Sequence, residues 1–328
     1  MAGYTAGRLV QIGTEATEGT AVAATVIYRG VAMAEDQSEI TPVNEYHGQR
    51  VPKVNVYVPW SEVVVEFEDS EATFEQLGYW FEAGVEKVTT VGADTGGSGH
   101  IYQYDLSNAT ENSIRTYTIE TGNNQESNEI NGCFVESLKL SGAAGEAWMV
   151  GGTWRGRLMT DCAFTSLSPA TAEVALFNKT SFTIDTTTVG TTAKTSSVLG
   201  FELSADNLVK PLKAAAGVAY PSGHFIGTPE VTGSITLRHD ATGEAEIGMA
   251  IAHTPRLLQL TCNGAALTTA GSSYTYKTFK QQLAIQYTSI PTLDEDDGDD
   301  TVTLEWRLVD QASTQWQTIL VNELAALT

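Results

Sequence analysis

Between residues 59 and 158 the chain sets out an order of strands and one helix that it writes again between 229 and 310. In the first copy Val63, Val65 and Phe67 alternate with Val64, Glu66 and Glu68. An amphipathic segment follows, with Ser70 and Thr73 as candidate caps and Phe74, Leu77 and Phe81 at helical spacing. A loop, a short strand at 115–120 and two longer strands at 133–140 and 148–158 complete the copy. In the second, Ile235 and Leu237 alternate with Thr236 and Arg238, and a helix over about 242–253 stops at Pro255. Residues 256–262, 281–288 and 301–310 then read as three strands in the same order. Pro59, Val65 and Phe67 align on Pro229, Ile235 and Leu237; Arg115 aligns on Arg256, and Trp154-Arg155 on Trp306-Arg307. The copies differ in length only at loops, with 86–113 oversized in the first and 291–300 inserted in the second. Loops are where a duplication tolerates insertion.

A chain of 328 residues is long enough for two domains, each with its own core. Abundant β-branched and aromatic residues, punctuated by Gly and Thr, favour a mainly β fold. Lys and Arg number 18 against 40 Asp and Glu, a formal charge of −22. Such a field excludes gripping nucleic acid, which requires cations to displace counterions, and suits a surface that must not hold DNA or anionic membrane. Cys133, Cys162 and Cys262 are odd in number and widely spaced, which reads as reduced thiols. Residues 1–19 contain no apolar leader and no stretch approaches membrane-spanning length, so folding in a cytoplasm is expected.

Taken in order, residues 1–49 read as a polar N-terminal arm with one strand at 25–31. Residues 50–165 form a first domain and 166–328 a second, joined by a linker at 160–172. Strands at 176–185 and 198–205 open the second domain and correspond to 25–31 and 51–58 in the first. The soft stretch 210–223 reads as loop. In the last hairpin Leu283, Ile285 and Tyr287 alternate with polar residues, as do Val302, Leu304, Trp306 and Leu308, giving a sheet with one buried face. Trp154 and Trp306 are therefore expected in equivalent core positions rather than on a ligand platform.

Catalytic patterns are absent. The five histidines stand apart, with no H-E-x-x-H and no Cys/His cluster at zinc spacing. The loop around Gly92, Asp94, Gly97 and His100 lacks the Lys-Ser/Thr of a phosphate loop, and Gly96-Gly97-Ser98-Gly99 is not a nucleophile elbow. The run 294–300, with Asp294, Asp296 and Asp297, invites a calcium reading, but it departs from the EF-hand pattern and fits a solvated hairpin loop. No catalytic, cofactor or metal residue is assigned.

Several stretches resemble the tail tube (major tail) proteins of long-tailed bacteriophages, in the family whose subunit carries two tandem tube domains. They are 17–23 (TEGTAVA) with 26–30 (VIYRG), 115–120 (RTYTIE), 133–148 (CFVESLKLSGAAGEAW) with Thr153-Trp154, and more weakly 177–185 and 274–277. The acidic insertion 294–300 has no counterpart there. The resemblance implies two tandem β-sandwich or incomplete-barrel domains, each flanked by one α-helix. It further implies a trimeric, pseudo-sixfold ring that stacks into a tube around a tape measure protein. Tail terminator and tail tip proteins would be further partners, and DNA would pass without specific binding. The protein would be made in the bacterial cytoplasm and reside in the virion. Gly92, Asp94, Gly97, His100, Asp294, Asp296 and Asp297 are candidate assembly contacts. The loop 86–113 and the N-terminal arm are expected to be mobile in isolated subunits and to order in tubes. Two other classes compete: a β-sandwich adhesin or carbohydrate-binding module, and a glycan hydrolase, which requires two carboxylates facing one cleft.

Overall fold

The computed structural model describes residues 7–45, 47–51, 53–107, 110–296, 298–311 and 315–327. The first half runs β1 (Leu9–Thr14), β2 (Val26–Tyr28), β3 (Ala32–Asp36), β4 (Thr41–Glu45), β5 (Lys53–Tyr57), β6 (Val63–Glu71) and helix α1 (Leu77–Gly84). It continues through β7 (Gly92–Ala93), β8 (His100–Asp105), β9 (Tyr117–Gly122), β10 (Ser127–Ala143), β11 (Met149–Gly156) and β12 (Leu158–Asp161). The second half runs β13 (Thr180–Asp185), β14 (Val198–Asp206), β15 (Val209–Leu212), β16 (Gly223–Ile226), β17 (Glu230–Arg238) and helix α2 (Ala241–Ile251). It ends with β18 (Arg256–Ala266), β19 (Tyr276–Tyr287), β20 (Leu293–Asp296), β21 (Asp299–Leu308) and β22 (Trp316–Asn322). The fold is mainly β, in large antiparallel sheets.

Strand pairing repeats between the halves. The first half pairs in the order β1–β9–β10–β11–β6–β3, and the second in the order β13–β18–β19–β21–β17–β14. Neither series returns to its starting strand, so each is an incomplete barrel. Trp154 lies between Val65 and Val135, and Trp306 between Gly233 and Tyr287. Val65 is therefore equivalent to Gly233, two residues from the Ile235 that sequence alignment gave. A shift of two keeps every side chain on its face, so patterning cannot detect it. A Cβ on Gly233 would sit 2.4 Å from the Trp306 ring, which explains a glycine inside this strand.

Several expectations are corrected. The first fifty residues supply β1, β2 and β3 to the sheets rather than one strand in an arm. Val10 and Ile12 are fully buried, and the Gln11 side chain between them is buried too, which masks the alternation. The counterpart of β14 is β3, not residues 51–58; β5 instead pairs with β4 in a separate hairpin. Of the stretch 210–223, expected as loop, residues 213–222 are the loop of the matching hairpin β15–β16, and only the two ends belong to its strands. The loop 86–113 contains β8, which pairs with the unanticipated β22, and β22 pairs in turn with β19.

The helices are held differently. Thr73 Oγ1 accepts from the Gln76 amide ahead of α1, while Ser70, the other candidate cap, lies within β6. Asp240 caps α2 by accepting from the Thr242 and Gly243 amides. Every residue of α1 is buried, between its sheet and the returning C-terminal segment, where Phe81 packs on Tyr104 and Trp316. Trp154 sits among Phe67, Trp80 and Tyr117, and Trp306 stacks on Phe201. Trp148, at the β10–β11 turn, enters the other half's core against Phe177, Phe201 and Phe279, and its indole N–H donates to Thr180. The halves share one apolar core.

Candidate assembly surface

The long strand β10 joins the two halves. Its N-terminal part pairs with β9 and β12, while its C-terminal part lies between β11 and β14, from Leu138 opposite Ala205 to Ala143 opposite Gly200. The β10–β11 turn then reaches the start of β13: the Gly145 amide donates to Asn178 Oδ1 at 2.9 Å and the Phe177 amide to the Glu146 carbonyl at 3.1 Å. The hairpin β15–β16 lies back over the first half, where Arg157 donates to the Pro221 carbonyl and covers Tyr220, and Lys213 covers Trp60.

The second join is made by the glycine-rich loop. Gly92 lies on β7 opposite Ile101, and His100 on β8 opposite Asn322. Asp94 is buried, accepting from the Tyr274 amide at 2.7 Å, the Ser273 amide and the Ser272 hydroxyl. Burial opposes ionisation of Asp94, yet these donors hold its carboxyl below the ordinary range. A Cβ on Gly97 would lie 2.5 Å from Gly271 Cα, so only glycine permits this backbone approach. The loop expected to wait for a neighbouring subunit is thus docked on its own chain, because Asp94 satisfies the turn 272–274. Asp294 and Asp296 lie on β20, opposite Thr301 and Asp299 of β21, and Asp297 lies outside the described residues. Arg238 donates to Asp299 Oδ2 at 2.6 Å beside this hairpin. These candidates therefore fall into two groups on separate features of the fold.

Two buried ionic networks escaped sequence reasoning. On α1, Glu82 accepts from Tyr117 Oη at 2.6 Å and faces Arg115 Nε at 3.3 Å. Burial pushes the Glu82 carboxyl up, against the opposing Tyr117 hydrogen bond and the Arg115 charge. On α2, Glu246 receives Arg256 at 2.8 and 3.0 Å, Lys194 at 2.9 Å and Tyr287 Oη at 3.1 Å. Each network pins a helix to its sheet, and Arg115 and Arg256 are the residues that sequence alignment equated. Glu15, just after β1, folds the next loop by accepting from the Gly19 and Gly132 amides and the Thr116 and Thr118 hydroxyls. Asp185 ends β13 in the same manner, bound to Thr191 and Thr192.

Val43, Val56 and Tyr57 stand out on β4–β5, as does Val51 in its turn at 75 % exposure. Cys133 and Cys262 are buried and Cys162 is half-buried, all as free thiols. Among the described residues, no group of acidic, His and Cys side chains is arranged to hold a metal, and no helix is long and apolar enough to cross a membrane. A family model described as phage tail tube protein matches residues 5–317. The chain belongs to that family. No curated protein matches it. As a tail tube protein it is a structural component of the virion tail that self-assembles into a tube with other tail proteins, and it is not an enzyme.

Proposed function

We propose that this tail tube protein forms trimeric, pseudo-sixfold rings that stack into a hollow tube around a tape measure protein, closed by terminator and tip proteins, through which DNA enters the host. The observation that carries the reading is the join inside the chain: two halves with the same strand order are linked edge to edge by β10 and β14. A head-to-tail contact of this kind generates a ring when repeated through a rotation that closes. The two units divide near residue 165, with β1, β2 and β3 belonging to the first. Open sheet edges are aggregation-prone unless paired, and ring closure pairs them. A net charge of −22 supports a lumen that repels phosphate, so that DNA slides without sticking. The subunit would be made in the host cytoplasm and incorporated there. Negative-stain microscopy of concentrated purified protein tests this: hollow tubes of uniform diameter are expected, and monodisperse monomers at every concentration and salt would refute it.

A further inference from the structure

The acidic hairpin β20–β21 occupies the place in the second half that the C-terminal part of β10, with β11, occupies in the first. Leu140 lies opposite Val150 on β11, and Leu293 lies opposite Val302 on β21. Val150 and Val302 are equivalent through the Trp154 and Trp306 registers, so Leu293 is the counterpart of Leu140. In the first half this strand continues past its own sheet to pair with β14, where Leu140 meets Leu203. The outer edge of β20 pairs with nothing among the described residues. The counterpart of β14 is β3, with Ala34 in the place of Leu203; its outer edge has no strand partner among the described residues, and the Ala32 carbonyl on that edge accepts from the Thr121 hydroxyl at 3.0 Å.

We infer that β20 of one subunit pairs antiparallel with β3 of a second copy of this chain, Leu293 opposite Ala34, repeating between subunits the β10–β14 join found within each. The inference rests on the ring reading above. Leu140 and Leu203 are fully buried in the internal join, whereas Leu293 is 56 % exposed, as a strand lacking its partner would be. Beside β3 lies an open groove of about 290 Å³ whose lining includes Ala32, Ala34, Thr121 and Asn128, with one cation, Arg8, and one carboxylate, Glu126. The β10–β11 turn docks at the start of β13, where Trp148 donates to Thr180; by register Arg8 takes the place of Thr180 ahead of β1. Arg8 is exposed, and its guanidinium lies 3.8 Å from the Glu68 carboxylate. The tip of the incoming hairpin is acidic, from Asp294 to Asp300, so Arg8 is the complementary charge it would meet where the internal join has a neutral contact. The exposed β4–β5 hairpin follows β3 as β15–β16 follows β14. Its apolar side chains would then cover the neighbour's second half, as β15–β16 covers the first.

Residues directly opposite on antiparallel strands bring their Cα atoms to about 4.5–5.5 Å, within disulfide range. The test places Leu293→Cys with Ala34→Cys in a Cys162→Ser background. In tubes of the double variant, oxidation should link subunits into a covalent ring that runs as a trimer on a non-reducing gel, while either single cysteine gives monomer. Tubes that form but do not cross-link would overturn the junction and leave the tube reading standing. Absence of tubes from the unmodified protein would overturn the tube reading and the junction together. Should the cysteines themselves block assembly, Arg8→Glu decides: it should raise the critical concentration for assembly about fivefold, the equivalent of an exposed ion pair. An unchanged critical concentration would overturn the docking site.

Discussion

Removing the glutamate of α2 should cost far more than removing the glutamate of α1, although the two play the same role. Glu246 is 1 % exposed, and two of its partners, Arg256 and Lys194, have side chains 6 % and 9 % exposed. Glu246→Ala leaves both cations buried without a counter-charge, a loss of about 3–5 kcal/mol. The Arg115 side chain is 25 % exposed and can turn to water when Glu82 is removed. Glu82→Ala therefore loses mainly one charged hydrogen bond with Tyr117, about 1–3 kcal/mol. At about 2–4 °C per kcal/mol for domains of this size, the melting temperatures of the variants should differ by about 4–8 °C. Thermal and urea unfolding of the unassembled subunit measure both. The cause can be separated from cavity formation with the triple variant Glu246→Leu, Arg256→Met, Lys194→Met, which replaces the network with apolar groups and should recover most of the loss. Equal costs in the two halves, or a triple variant no better than Glu246→Ala, would refute the argument.

Asp94→Ala should free the loop 92–100 while leaving the sheets intact; hydrogen exchange should rise at 273–274 and 98–103 and stay unchanged in β10 and β11. Trp306→Ala should destabilise by about 3–5 kcal/mol through lost core volume, as read by urea unfolding. Trp306→Phe should cost less than half of that, because the indole N–H has no hydrogen-bond partner among the described residues. Burial opposes ionisation of Asp185, but its bonds to Thr191 and Thr192 lower its pKa to about 2. An acid with a depressed folded pKa contributes stability above its unfolded value, near 3.9, and loses it as pH falls through about 2. Asp185→Asn should therefore be less stable than the parent at pH 7 and indistinguishable from it near pH 2. Glu82 has the opposite sign. Its raised pKa makes the parent most stable below the unfolded value and less so as pH rises through the folded one, a slope that Glu82→Gln should abolish.

The repeat was legible because its markers are chemical as well as periodic. Trp154-Arg155 and Trp306-Arg307 occupy matching positions in the pairing, and Arg115 and Arg256 both serve the helix glutamates. The glutamates themselves read as ordinary polar helix residues, although one cue existed: Glu82 is the sole charge in LGYWFEAG. The strand β1 was hidden because its polar Gln11 is as buried as its neighbours. The strand β22 lacks strict alternation because both its faces are covered: Trp316 packs on Phe81 of α1, while Ile319 and Val321 pack with Leu267 on the opposite side. Asp94 looked like part of a mobile tip because its partners lie about 180 residues away in sequence. The bulk of the sheets follows from local pattern; the joins between halves depend on which edges meet, and no local pattern specifies that.

The two copies differ in the joins they can make. Inside the chain the halves are joined twice, by β10 with β14 and by β8 with β22, and the second join is locked by Asp94. The second half cannot offer the second join to a neighbour. In place of the loop 86–113 it has only residues 252–255 between α2 and β18, too few to form a strand equivalent to β8. In the proposed ring, the outer edge of β12, the counterpart of the edge that β22 gives to β8, would therefore have no strand partner from the adjoining subunit. On the proposed β20–β3 junction, contacts between subunits rest on one strand pairing and a charged tip, whereas contacts within a subunit rest on two pairings and a shared core. A subunit built this way folds as one body before it meets another. In the proposed ring, contacts between subunits would be the weaker set and the more sensitive to salt, because their charged part is exposed and screened over about 10 Å at 0.1 M.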